Sequence, residues 1–97
     1  MRSIEIHQRA EMDLVAACEW YEAQQPGLSK KFRNEVEFKI QLIAANPELY
    51  STKYNNHLRF APLRKYPYIV VYWYDKSLDS VFITSVFHTK RNPEKFE

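Results

Sequence analysis

Two stretches of helical period meet at a single Pro-Gly step, and that junction constrains this 97-residue chain more than any other feature. From Arg9 to Gln25, Ala10, Leu14, Ala17, Cys18 and Tyr21 recur at helical spacing, with Glu11, Glu19 and Glu22 on the opposite side. Pro26 cannot continue the hydrogen-bond ladder, and Gly27, the only glycine, accepts the backbone angles of a cap. A second helix is expected from Leu28 to about Ala45. Its stripe is Leu28, Phe32, Val36, Ile40 and Ile43, with Phe38 and Leu42 at the edge and Lys31–Glu35 and Arg33–Glu37 as i,i+4 pairs on the wet side. Asn46-Pro47 stops it, because the residue before proline is pushed out of the helical region. So short a turn forces the two helices antiparallel, as a hairpin.

Elsewhere the period is that of strands. Ser3 to His7 alternates Ile4 and Ile6 against Glu5 and His7 and reads as a first strand. Pro47 to Asn56 is a polar loop, and His57 to Phe60, reaching toward Leu63, is a strand with Leu58 and Phe60 opposing His57 and Arg59. Tyr68 to Tyr74 is almost wholly β-branched or aromatic, a strong strand composition. After a polar turn at Asp75–Asp79, Ser80 to His88 is the last strand, with Val81, Ile83, Ser85 and Phe87 opposing Ser80, Phe82, Thr84, Val86 and His88. Thr89 to Glu97 is a basic tail. The order β-α-α-β-β-β predicts one α+β domain over residues 1–97, with the helical hairpin packed on one face of a small, mainly antiparallel sheet. Arg59 and His88 are expected on the face left open.

The apolar fraction, 45%, rules out a chain too poor in hydrophobic residues to fold. The longest apolar run, Tyr66 to Tyr74, is too short for a membrane span. An early acid and no apolar segment at the start argue against a secretory signal, and one cysteine allows no internal disulfide, so a cytoplasmic location is expected. Residues 1–47 carry six Lys/Arg against seven Asp/Glu, whereas residues 48–97 carry eight against five. A basic half on a chain of net charge +2 points to an anionic partner.

Several chemistries lack their residues. One glycine cannot make a phosphate-binding loop, and His7, His57 and His88 have no metal-ligand spacing, so neither metal nor cofactor is expected. Cys18 sits on a buried stripe as inert packing, and Trp20 and Trp73 are expected to anchor the core. What remains is cationic: Arg59, Arg64, Lys65, His88, Lys90 and Arg91, lying on strands or at their ends. Arginine suits bidentate phosphate contact, and histidine can move a proton near neutral pH.

Over nearly its whole length the chain resembles the RelE/ParE superfamily of bacterial toxins from type II toxin–antitoxin systems. The resemblance is carried by Ala10 with Asp13-Leu14 and Trp20-Tyr21-Glu22, by Pro26-Gly27-Leu28 with Phe32, and by Ile43 with Asn46-Pro47. Arg59, Lys65-Tyr66-Pro67-Tyr68 and Val71-Tyr72 continue it, and Val86, His88 and Arg91-Asn92-Pro93 complete it. It implies a growth-inhibiting toxin, of the plasmid-stabilising kind, silenced by a cognate antitoxin. Two targets follow from its branches. ParE-like members poison DNA gyrase, and RelE-like members cleave messenger RNA in the ribosome, for which Arg59, His88 and Arg91 would form the catalytic set. The nuclease branch commonly places an arginine early in the third strand and a tyrosine or histidine near the C-terminus. Here that strand reads Tyr68-Ile69-Val70-Val71 and the C-terminal aromatic is Phe96, a departure that favours the gyrase branch.

Overall fold

The structure, a computed structural model, describes residues 2–53 and 57–90. β1 (Ser3–Ile6) leads into α1 (Gln8–Gln24), followed by α2 (Leu28–Ala45), β2 (Thr52–Lys53), β3 (Leu58–Pro62), β4 (Tyr68–Asp75) and β5 (Ser80–His88). The expected order holds, with β2 as a two-residue addition inside the stretch read as loop. The strands lie in the order β1-β5-β4-β3-β2, with β1 parallel to β5 and every other pair antiparallel. A parallel pair needs a long return path. Here the chain leaves β1 through both helices and comes back through β2, β3 and β4 before β5 reaches β1.

The helices turn at Gly27, whose φ of 89° lies in the left-handed region. Glu22 completes the turn, its carboxylate accepting the Gly27 N–H at 3.0 Å and the Ser29 hydroxyl at 2.7 Å. The Ser29 hydroxyl and then the backbone N–H groups hold the Glu22 carboxyl below the usual carboxylate range. A Cβ at position 27 would meet no atom within 4 Å, so Gly27→Ala carries only backbone strain. We expect it to cost about 1 kcal/mol in a denaturant melt. An unchanged midpoint would show that the turn does not depend on left-handed angles.

Ala10, Ala17, Cys18 and Tyr21 from α1 and Phe32, Val36 and Ile43 from α2 pack on Ala61, Val70, Tyr72, Val81, Ile83 and Val86 of the sheet. Phe32 is the hub of an aromatic group, its ring 4.9 Å from Tyr21 and 5.1 Å from both Tyr66 and Tyr68. At the other end of the sheet Arg2 ties three elements together. Its guanidinium bonds Asp79 at 2.8 Å, donates to the Ala44 carbonyl and lies over the Tyr74 ring. Glu35, expected to pair along its helix, accepts the Lys65 N–H at 3.2 Å and so fastens the β3–β4 loop to α2.

The face assignment of β5 differs from strict alternation. Val71 pairs with Ser85 and Tyr72 with Ile83, so Thr84 is an extra residue in β5. A bulge of this kind advances the alternation by one position. Val86 and His88 therefore share the helix side with Val81 and Ile83. Arg59 pairs with Tyr72, a core residue, and lies on that side too. The expectation that Arg59 and His88 occupy the open face is thus overturned. The pairs Phe60–Val71, Ile69–Phe87 and Trp73–Phe82 make the far face apolar, with Trp73 and Phe82 stacked at 4.5 Å.

Candidate functional site

The expected cationic residues fall in three places. Arg59 is the most constrained. Its guanidinium donates to the Tyr50 carbonyl at 2.5 Å, and Glu48 lies 3.9 Å away. Tyr50 is held again by Lys39, whose Nζ donates to the Tyr50 hydroxyl at 2.9 Å although Lys39 is buried. Beneath them the Tyr72 hydroxyl donates to the Pro47 carbonyl at 2.8 Å. Burial pushes the Tyr72 hydroxyl up to about 12, with Arg59 drawing it back. The helices lie over β4 and β5, so the margin of the sheet at β3 is covered by the segment after α2, and that segment takes Arg59 into its own hydrogen bonding.

His88 and Lys90 lie at the opposite corner. His88 pairs with Tyr68, four positions along β4 from the partner of Arg59, and one strand lies between them. That register places the two backbones about 15 Å apart. The Tyr68 and His88 rings meet edge to face at 4.9 Å, and the His88 Nδ1 accepts the Lys90 N–H at 3.1 Å. The Thr89 N–H donates to the Pro67 carbonyl at 2.8 Å, which joins the end of β5 to the β3–β4 loop carrying Arg64 and Lys65. Arg64 and Lys65 are exposed and face α2, on the other flank of that loop. Arg91 lies outside the described residues.

Between the second half of α1 and this corner is a cleft of about 670 Å³, lined by Trp20, Tyr21, Pro67, Tyr68, His88 and Lys90. Trp20 was expected in the core, yet it is 58% exposed, edge-on to Tyr21 at 5.1 Å. The reason is its position one residue before Tyr21, which takes the inward-facing place on α1. Burial pushes the Tyr21 hydroxyl above its ordinary value, with Tyr68 and Tyr66 adding to the effect. Trp73 is half-buried on the far face rather than anchoring the helix-side core.

An indole and an imidazole flanked by an ammonium group can grip a flat or anionic group of a partner. Proton transfer is a different requirement, because it needs a charge-stabilising donor within hydrogen-bond reach of the same atom as His88. Arg59 does not meet it from its place beside Tyr50. Nothing in the local spacing marked Trp20 as exposed.

The family described as "ParE toxin of type II toxin-antitoxin system, parDE" matches residues 4–93. Among solved structures, the chromosomal ParDE toxin–antitoxin system of P. aeruginosa superposes with a TM-score of 0.79 at 16% identity, over 93% of this chain and 98% of that one. The intact E. coli RelBE toxin–antitoxin complex gives 0.69 at 18% identity, over 94% and 100%. The isolated E. coli RelE toxin gives 0.70 at 17% identity, over 99% and 93%. At these identities the structural likeness is one of fold. Comparison with curated protein sequences finds no match.

Proposed function

This chain belongs to the ParE family of toxins from type II toxin–antitoxin systems, and we propose that it is a growth inhibitor that binds DNA gyrase and is silenced by a cognate antitoxin. The target surface is the sheet corner, where Trp20, His88 and Lys90 line the cleft and Arg64 and Lys65 extend it across the β3–β4 loop. One observation carries the choice of a binder over a nuclease. Arg59 is engaged with Tyr50 and Glu48, well away from His88, so among the described residues these two groups do not converge on one reacting atom. Ribosome-dependent messenger RNA cleavage by Arg59, His88 and Arg91 would require Arg59 to leave both partners. No cofactor enters the proposal, and the protein acts in the cytoplasm, where gyrase is found.

Purified toxin is expected to block supercoiling by gyrase at micromolar concentration. Truncating Trp20 or His88 to alanine should weaken that inhibition about tenfold or more, as hot-spot residues of an interface do. Unimpaired supercoiling, together with cleavage of messenger RNA on stalled ribosomes, would replace this reading with the nuclease one.

A further inference from the structure

The cleft at the sheet corner has one wall from α1, which supplies Trp20 and Tyr21, and another from the end of β5, which supplies His88. One side chain ties the two walls together. Asp13, half-buried on α1 one turn before Ala17, reaches β5, where its Oδ2 accepts the Ser85 hydroxyl at 2.9 Å and the Val86 N–H at 3.1 Å. These residues directly follow Thr84, the extra residue of the bulge, whose own hydroxyl donates to the Val71 carbonyl of β4 at 3.1 Å. The bulge is therefore fastened from both sides. β1 pairs with β5 only as far as Ile83, because the chain turns into α1 at Gln8. Val86 lies past that point, and the Asp13 carboxylate accepts its N–H where no β1 residue pairs. Ser85 and Val86 are both buried, so removing the carboxylate takes this acceptor from a buried hydroxyl and a buried backbone donor.

We propose that Asp13 is a positioning residue of the target-binding cleft, which locks the β5 bulge and so holds His88 on the helix side with Trp20. The inference rests on the binding surface named under the proposed function and adds the residue that builds it. What the lock prevents follows from the strand period. If Thr84 rejoins the regular ladder, the residues after it change face, since a slip of one position inverts the alternation. Phe87 then turns toward the helices, and Val86 and His88 turn to the far face. Packing of Val86 in the core and the ring contact of His88 with Tyr68 oppose that slip, and Asp13 acts at the point where the two registers diverge. A hydrogen bond that merely stabilised the domain would lower inhibition with the folded fraction and leave His88 in place.

The test combines NMR of the full-length toxin with the supercoiling assay. Asp13→Ala is expected to abolish the nuclear Overhauser contact between the Tyr68 and His88 rings and to weaken gyrase inhibition about tenfold, as His88→Ala does. The double variant should inhibit no more weakly than either single one, because both changes take the same imidazole from the cleft. Asp13→Asn keeps an oxygen that can accept both hydrogen bonds and should restore ring contact and inhibition together. Deleting Thr84 from the Asp13→Ala chain should also restore the contact, since β5 then alternates regularly with His88 on the helix side. An Asp13→Ala protein that keeps the ring contact, or losses that multiply in the double variant, would overturn the proposal. Where Asp13→Ala alone does not fold, the chain that also lacks Thr84 is expected to fold with the contact in place, and its failure to do so overturns the proposal. The ring contact is read without gyrase. If wild-type toxin leaves supercoiling untouched, the gyrase target falls and the NMR alone decides the lock. If inhibition is present and the contact survives Asp13→Ala, the lock falls alone.

Discussion

Replacing Phe32 by alanine is expected to cost about 3–5 kcal/mol, the range for deleting a fully buried aromatic ring from a core. Phe32 has no exposed surface and stands between Tyr21 on α1, Tyr66 in the β3–β4 loop and Tyr68 at the start of β4. Alanine leaves a void that three rings border, and none of them can fill it without leaving its own partners. A domain of this length holds roughly 5–15 kcal/mol in all, so the loss approaches the whole of a marginal stability. In a thermal melt it should lower the midpoint by about 15 °C or more. The effect should also reach function, because Tyr21 and Tyr68 line the cleft that holds His88. A cost below about 1 kcal/mol would mean that the aromatic group does not join the helices to the sheet.

The second large effect concerns alkaline pH and Tyr72. Its ring is fully buried, and burial lifts its hydroxyl from the ordinary 10.0 to about 12. The sign follows from the proton count. Below pH 10 the hydroxyl is neutral in both folded and unfolded chains, and its contribution to folding is fully present. As the pH rises from about 10 through 12 the unfolded chain ionises first, so stability is lost across that window. Two pKa units correspond to roughly 2–3 kcal/mol.

Tyr72→Phe separates this effect from other tyrosines that respond in the same direction, Tyr21 among them. At neutral pH the variant should be less stable by about 1–2 kcal/mol, because the Pro47 carbonyl loses its donor. By pH 12 the difference should close or reverse, since phenylalanine has nothing to ionise. Denaturant midpoints measured from pH 8 to 12 check this. A gap that stays constant across that range would show that burial of the Tyr72 hydroxyl does not govern its titration.

The helix hairpin and the strand positions were legible because their signals are local. A repeat of Ala10, Leu14, Ala17 and Tyr21, or of Phe32, Val36 and Ile43, records which side of one helix meets the core, and Gly27 records a backbone angle. The strand order, with β1 beside β5, is not local. It depends on which edge remains free once the meander has formed, and no residue of β1 announces its partner.

The candidate site was readable as residue types and not as an arrangement. Arg59 and His88 do not meet on an open face: they lie about 15 Å apart on the helix side of the sheet. One bulge residue, Thr84, carries His88 to the helix side, and the loop after α2 closes on Arg59 through Tyr50 and Glu48. Trp20 shows the same limit from the other direction. Its size suggests burial, yet Tyr21 takes the inward place and leaves the indole at the mouth of the cleft.

By itself, then, the order of side chains determined the α+β class, the paired helices, the toxin family and the list of cationic residues, all properties carried by spacing and type along the chain. Tertiary structure alone decided that Arg59 is a clasp, that His88 and Lys90 share a cleft with Trp20, and that Asp13 fastens the bulge in β5. Those outcomes depend on long-range packing, where a single bulge or one backbone carbonyl redirects a side chain that local periodicity had placed elsewhere.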